Sequence, residues 1–342
     1  MRGRRPVYGH RTGTQIRIGT RGSKLALGQA EQVAAELKRA YRDWEISLIR
    51  IRTKGDIFTD ASFLQIGGKG LFVKELEEAL LSGEIDLAVH SMKDLPTELP
   101  PGLCLAAITS REDPRDCLLS REGLSLKELP SGALIGTGSL RRQAQVQHFR
   151  PDLRTHPLRG NLDTRIRKLT TEGLDAIILA AAGLHRLGME DLITEYISPK
   201  ICLPAAGQGS LGVEVREEDE EMREALQILH HPESACSILA ERAFLRGLGG
   251  GCQIPIGALG QVEEDRSACA DTPLRRHADR LHLFGMISDP EGKRLIREDL
   301  SGPALEAEKI GEKLAARIRP LAQEIIEGEG FERAREEGHG KR

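Results

Sequence analysis

Apolar residues along this chain recur with two alternating periods. Ile16-Arg17-Ile18 alternates as a short strand does. After Gly19-Thr20-Arg21-Gly22-Ser23 the spacing lengthens to Leu27, Ala30, Ala34 and Leu37, one face of a helix with Ser23 as its N-cap. The device returns later: Ala133-Leu134-Ile135 predicts a strand, Gly136-Thr137-Gly138-Ser139 a turn, and Leu140-Arg141-Arg142-Gln143 the opening of a second helix. A second echo links Gly83–Val89 with Gly173–Leu179, each a buried-looking strand after a helix. The first leads into His90-Ser91-Met92-Lys93-Asp94-Leu95-Pro96, the second into Ala181-Ala182-Gly183-Leu184-His185-Arg186. Strands alternating with helices predict α/β lobes, whose ligands lie beyond the carboxyl ends of the strands. Two such lobes facing each other would form a cleft.

A third region follows the Pro- and Gly-punctuated stretch Leu203–Gly209 and a strand over Leu211–Val215. The five acids Glu217–Glu221 predict a solvated helix start. Ser234 is the expected cap of a helix ending at Gly247, and Leu281–Ser288, Asp289–Gly292 and Arg294–Leu300 predict a hairpin. Leu305, Ile310, Leu314, Ile318, Leu321 and Ile325 mark a long closing helix. The expected class is therefore α/β, in two or three domains by length, since single cores rarely grow past about 250–300 residues, and the third region makes three. A basic arm over 1–15 precedes domain 1 (16–110 plus 205–227), domain 2 (111–204), domain 3 (228–326) and a charged tail (327–342).

Composition narrows the function. The 342 residues carry a net charge of −3, and 39% are hydrophobic, so the chain as a whole is not disordered. Its longest nearly uninterrupted apolar run, Ala176–Leu184, is about half of what a bilayer requires, and no secretory leader is legible. Near-neutrality, with 7 Phe, 3 Tyr and 1 Trp, argues against nucleic acid as a partner. The closest of six cysteines are 13 residues apart, so no CxxC site for zinc arises, no metal is expected, and reduced thiols in a cytoplasmic protein are. Arginine nevertheless outnumbers lysine by 36 to 13. GC-rich codons explain such an excess as readily as function does, so position has to decide.

Position is informative. From Thr137 to Lys168 the local charge is +6, with Arg141, Arg142, Arg159 and Arg165 among Gly, Ser, Asn and Thr. The ordinary reading is a solvated basic face; the sharper one is a pocket for a substrate bearing several carboxylates. Both glycine–hydroxyl turns offer free helix N-terminal amides beside arginine, a ready anion site, although an ordinary capped helix looks the same. Lys93-Asp94 is either a surface pair or a cleft carboxylate that trades protons with a leaving amine beside an ammonium. Ile66-Gly67-Gly68-Lys69-Gly70-Leu71 lacks the hydroxyl after Lys and the glycine six positions before it, so it is no P-loop. Cys252 follows three glycines, where neither helix nor strand periodicity places a core residue, and a nucleophile or covalent anchor fits such a loop.

Together these motifs resemble the porphobilinogen deaminases. The resemblance rests on Ile18-Gly-Thr-Arg-Gly-Ser-Lys-Leu-Ala-Leu27, Gly67-Gly-Lys-Gly-Leu-Phe-Val-Lys-Glu-Leu76, Ala88-Val-His-Ser-Met-Lys-Asp-Leu-Pro96 and Gly136-Thr-Gly-Ser-Leu-Arg-Arg-Gln143. Leu158-Arg-Gly-Asn-Leu-Asp-Thr-Arg165, Leu203-Pro-Ala-Ala-Gly-Gln-Gly209 and Gly250-Gly-Cys-Gln-Ile-Pro-Ile-Gly257 complete it, in family order over residues 16–325. It implies two lobes like those of periplasmic binding proteins plus a smaller α/β third domain, in a monomeric enzyme of tetrapyrrole and heme synthesis. Such an enzyme joins four porphobilinogen units head to tail, releases ammonia at each, and hydrolyses the chain to hydroxymethylbilane. On matching positions it implies a dipyrromethane cofactor held by a thioether to Cys252, and Asp94 as the acid/base group with Lys93 beside it. It further implies Lys93, Ser139, Arg141 and Arg142 on the cofactor and Arg21, Ser23, Arg159, Arg165 and Arg186 on substrate carboxylates. The stretch Val262–Ala278 reads as an insertion, and neither it nor the basic arm touches these motifs.

Two other classes compete. A two-lobe binding protein for a polycarboxylate, without catalysis, would need neither Cys252 nor Asp94. A pyridoxal phosphate enzyme using Lys93 would show an aldimine band that Lys93→Ala abolishes.

Overall fold

The structure is a computed structural model, and it describes residues 14–53, 73–249, 254–263 and 279–326. Its first elements are β1 (Gln15–Arg21), α1 (Lys24–Ala40), β2 (Glu45–Ile51), α2 (Lys74–Leu81), β3 (Leu87–Ser91) and β4 (Leu103–Ile108). There follow β5 (Asp116–Ser120), β6 (Leu134–Thr137), α3 (Leu140–Phe149), β7 (Arg154–Pro157), α4 (Leu162–Thr171), β8 (Ala176–Ala180), α5 (Ala181–His185) and β9 (Glu195–Tyr196). The chain continues through β10 (Leu211–Arg216), α6 (Glu220–Ala225), α7 (Pro232–Gly247), β11 (Ile256–Glu263), β12 (Arg280–Ser288), β13 (Leu295–Pro303) and α8 (Ala307–Leu321).

These elements make two α/β lobes and a smaller third α/β domain, distributed over two compact units. The first unit takes the described parts of 1–59 and 68–112 together with 210–235, and the second takes 113–209 and the described parts of 236–342. In the first unit the sheet order is β2-β1-β3-β10-β4. β1 runs parallel to β2 and β3, whereas β10 is antiparallel to β3 and β4. The second unit repeats the plan as β7-β6-β8-β5-β9, with β6 parallel to β7 and β8, and β5 antiparallel to β8 and β9. It also holds the three-stranded meander β11-β12-β13.

Burial follows the apolar pattern. Central strand β8 is apolar throughout and buried at four of five positions, as a strand covered on both faces must be. Edge strand β13 mixes apolar with charged residues and stays largely half-exposed. Ala30, Val33 and Leu37 of α1 pack with Ile16 and Ile18 of β1 in the first unit. Phe244 of α7 and Ile310, Leu314 and Ile318 of α8 pack on Leu281 and Leu283 of β12 in the second.

Three expectations need correction. α7 starts two residues before Ser234: Pro232 takes the first helical position, where its missing N–H is harmless, and Ser234 lies inside the helix. There the Ser234 N–H points to His231 Nδ1 at 3.3 Å, and its Oγ accepts from the Arg111 N–H at 3.0 Å. Leu305 and Leu321 are more than half exposed rather than core. Leu305 falls in a 3-10 turn (Ala304–Glu306) that breaks the helical phase, and Leu321 is the last residue of α8, beside Pro320 in its final turn. The acidic run opens α6 only at Glu220, because the Asp219 carboxylate accepts the Met222 N–H at 3.0 Å and caps the helix there.

Candidate active site

Parallel strands carry the predicted residues to one edge in each unit. In the first, β1 and β3 are neighbours, with Gly19 opposite Ala88, so the turns after both strands stand at the same carboxyl edge. Arg21 ends β1, half-buried, and Ser23 caps α1, its Oγ accepting the Ala26 N–H at 3.2 Å. Thr20 braces the turn by donating to the Ala26 carbonyl at 3.0 Å. β3 ends at Ser91, and the exposed pair Lys93 and Asp94 comes next in a turn closed by the Asp94 N–H on the Ser91 carbonyl at 2.9 Å. Gln29 of α1 donates to Ser91 Oγ at 2.9 Å, which ties the capped helix to the base of that turn.

In the second unit β6 lies between β7 and β8, parallel to both. Ser139 follows β6 and caps α3, its Oγ accepting the Arg142 N–H at 3.4 Å. Arg159 follows β7, and Arg165 lies in the first turn of α4, its Nε donating to the Gly160 carbonyl at 2.7 Å. Arg186 caps the C-terminus of α5 after β8 and donates to the Gly209 carbonyl at 2.5 Å. These basic and hydroxyl groups therefore stand beyond the carboxyl ends of adjacent parallel strands. The turn at Gly138 is close-packed: a Cβ there would meet the Leu158 carbonyl oxygen at 2.5 Å.

Arg141 and Arg142 are not free guanidiniums on a surface. Both are buried, and both bind Asp116, the first residue of the antiparallel strand β5. Arg141 Nη1 donates to Asp116 Oδ2 at 2.6 Å and to the Leu203 carbonyl at 2.7 Å. Arg142 donates from Nε and Nη2 to Asp116 Oδ1 at 3.0 and 2.8 Å and from Nη1 to the Ile178 carbonyl at 3.0 Å. Gln208 Nε2 adds a bond to Asp116 Oδ1 at 2.9 Å. Burial alone would raise the Asp116 carboxyl, but Arg141 and Arg142 outweigh it and hold the group well below the usual carboxylate range. Two cations on one anion leave a single positive charge in the cluster, at the foot of the Ser139 turn. Burial, with the Asp116 charge next, pushes the adjacent Cys202 thiol up to about 12, so it is protonated and inert at neutral pH.

Asp116 escaped the sequence reading. A lone acid ahead of the apolar run Cys117-Leu118-Leu119 looks like a strand boundary, and only the antiparallel return of β5 brings it under Arg141. Cys252, like residues 67–72 of the glycine-rich motif and the stretch 264–278, lies outside the described residues. Of the elements that flank Cys252 in sequence, α7 ends at Gly247 and β11 begins at Ile256. Among the described residues no group of three His, Cys, Asp or Glu is placed to hold a metal ion, and no helix is long and apolar enough to cross a membrane.

Comparison with known proteins gives the family of the chain. Residues 16–224 match the model of "Porphobilinogen deaminase, dipyromethane cofactor binding domain", and residues 235–319 match that of "Porphobilinogen deaminase, C-terminal domain". The porphobilinogen deaminase of Geobacter metallireducens is 49% identical over 319 residues, covering 93% of this chain and 96% of that protein. That of Pelotomaculum thermopropionicum is 51% identical over 323 residues, covering 94% and 98%. Among solved structures, the methionine binding protein MetQ is 14% identical, with a TM-score of 0.40, over 63% of this chain and 89% of that one. On the family models and on relatives aligned over nearly their whole length, this chain belongs to the porphobilinogen deaminase family.

Proposed function

We propose that this chain joins four porphobilinogen units head to tail, with loss of ammonia at each, and hydrolyses the product to hydroxymethylbilane, using a dipyrromethane primer bound through Cys252. The observation that carries the reading is the gathering of carboxylate-binding groups at the carboxyl edges of two like-built sheets, with Asp94 at one of them. The donor set fits the cofactor: its acetate and propionate arms call for cationic donors, and the Arg141–Arg142–Asp116 cluster keeps one positive charge beside the Ser139 turn. When bound, the cofactor supplies the pyrrole end from which the chain grows. Lys93, Ser139, Arg141 and Arg142 hold its carboxylates, and Arg21, Ser23, Arg159, Arg165 and Arg186 hold those of the substrate. Each hydrogen bond to a charged group contributes about 1.5–3 kcal/mol, so a few per ring retain a growing chain that is anchored covalently at one end only. Asp94, exposed at the turn after β3, exchanges a proton with the departing amine and faces the positive charge left on the pyrrole.

Family membership favours this chemistry over a binding protein without catalysis. The protein works as a cytoplasmic monomer, without nucleic acid or membrane as partner. An intact-mass spectrum of the purified protein tests the anchor. An excess of one dipyrrole is expected, absent in Cys252→Ala, and an unmodified but fully active protein overturns the assignment. Asp94→Asn is expected to keep the cofactor and lose about 10²-fold or more in turnover. Turnover near wild type there removes Asp94 from the mechanism.

A further inference from the structure

Three titratable side chains sit together in the first unit with no part in that chemistry. His90 stands on β3, Glu214 on β10 and Glu77 on α2. His90 Nε2 lies 2.9 Å from Glu214 Oε2, and these residues are 5% and 0% exposed. Glu77 is also buried; burial first, and then the Glu214 charge, raise its carboxyl above the ordinary range, while His90 opposes them. Among the described residues, Glu77 Oε1 and Glu214 Oε1 are buried without a hydrogen-bond partner. Around Glu77, α2 is otherwise apolar, with Leu76, Ala79 and Leu80 packed on Ile85 and Ala88. Ionisable groups in such a place carry a desolvation penalty that apolar side chains of similar volume avoid, so packing does not account for them.

Their location does. From His90 the chain runs through Ser91 and Met92 directly into Lys93 and Asp94. β10 pairs with this strand, Gly212 opposite His90 and Leu211 opposite Ser91, and the Met92 N–H continues the ladder to the Ser210 carbonyl at 3.0 Å. Against its other neighbour, β4, the register of β10 shifts between Val213 and Glu214. Bulges of this kind re-aim side chains beside active sites, and this one falls on the residue that meets His90.

We propose that His90 and Glu214, with Glu77 as the third buried group, are positioning residues whose cross-strand bond fixes where β3 ends against β10 and so where the Lys93-Asp94 turn stands. The inference rests on Asp94 as the acid/base group. A wild-type protein that carries the cofactor while Asp94→Asn remains active breaks that reading and leaves the His90 and Glu214 variants to be judged separately.

The test replaces both partners with apolar groups, His90→Phe with Glu214→Leu, because removing a buried pair together can be nearly neutral for stability. Melting temperature, intact mass, kcat and KM for porphobilinogen are measured. The double variant is expected to fold and carry its cofactor, with kcat lowered about tenfold or more and KM within about threefold, the pattern of a lost transition-state alignment. His90→Gln, which keeps a donor near Nε2, is expected to retain kcat within about threefold. A folded, cofactor-loaded double variant with wild-type kcat overturns the proposal, as does a His90→Gln protein no more active than the double variant. If the double variant does not fold, amide exchange in Glu214→Gln decides. Met92 and Asp94 should exchange about tenfold faster with β1 unchanged, and unaltered exchange at both amides overturns the proposal.

Discussion

The turns after β1 and β6 read alike in sequence, each with glycine, hydroxyl and arginine around the start of a serine-capped helix, yet they handle charge in opposite ways. In the first, the arginine belongs to the strand: Arg21 ends β1 half-buried, and the helix begins on Lys24. In the second, the arginines belong to the helix, where the first turn of α3 points them inward onto Asp116. A guanidinium at a half-buried strand end keeps part of its contact with water. A guanidinium pair buried on a carboxylate is already desolvated and oriented, and it depends on its anion. One turn therefore leaves its arginine half-exposed, and the other locks two arginines onto a buried anion.

The largest break in that comparison comes from the anion. Asp116→Ala leaves two buried cations with no counter-charge and should cost about 3–5 kcal/mol in unfolding free energy, whereas Arg21→Ala should change stability by no more than about 0.5 kcal/mol. Chemical denaturation of both variants at pH 7 measures the gap, and equal effects would erase the distinction between the turns. The sign with pH follows from the lowered Asp116 carboxyl. A depressed acid contributes stability above its unfolded pKa, about 3.9, which is lost as pH falls toward the folded value. Urea midpoints at pH 5, 4 and 3 should therefore drop more steeply for wild type than for Asp116→Asn. Parallel curves would deny Asp116 its charged role.

How far the sequence carries can be judged at the same two turns. The strand–turn–helix pattern, both serine caps and the repeated lobe are local, set by apolar period and by cap chemistry within five residues, and they appear in the structure at Gln15–Ala40 and Leu134–Phe149. The family motifs led to the same edges of β1, β3, β6, β7 and β8. Neither Asp116 beneath Arg141 nor Glu214 beside His90 was legible, for one physical reason. Each acid arrives on the antiparallel strand set between the parallel strands and the far edge strand of its sheet, from 25 residues away for Asp116 and 124 for Glu214. Such pairings depend on sheet order, which no local period encodes. Ser234 and Leu305 misled in a different way, because a Pro at the first helical position and a 3-10 turn shift helical phase by one or two residues.

Smaller changes sharpen the comparison through the backbone. A Cβ on Gly138 would stand 2.5 Å from the Leu158 carbonyl oxygen, and that backbone is held in place by the Leu158 N–H on the Thr137 carbonyl at 3.2 Å. Gly138→Ala should therefore cost about 1–3 kcal/mol, as overpacking against a fixed neighbour does. A Cβ on Gly22 meets nothing within 4 Å, and its backbone is outside the left-handed region. Gly22→Ala should be neutral or stabilise by about 0.4–1 kcal/mol through the unfolded chain. Opposite signs in thermal unfolding are the expected outcome; a shared sign would mean that the two turns are packed alike after all.

The caps give the smallest effect and the finest discrimination. Ser23 Oγ accepts from the Ala26 N–H at 3.2 Å, and the only other side-chain bond on that residue among those described, from Thr20 to its carbonyl at 3.0 Å, leaves the N–H to the cap, so Ser23→Ala should cost about 1 kcal/mol. Ser139 Oγ accepts from the Arg142 N–H at a longer 3.4 Å, and Arg142 is held from its other end by Asp116. With the first turn of α3 already fixed through that side chain, Ser139→Ala should cost only about 0.5 kcal/mol. The two anchors then substitute for each other, so the cost of Ser139→Ala should rise when Asp116→Asn loosens the guanidinium. A double-mutant cycle at pH 7 reads this coupling, expected at about 0.5 kcal/mol or more. Zero coupling would show that the cap and the buried ion cluster, three residues apart on one helix, act independently, and that Asp116 orients the arginines without steadying the turn they come from.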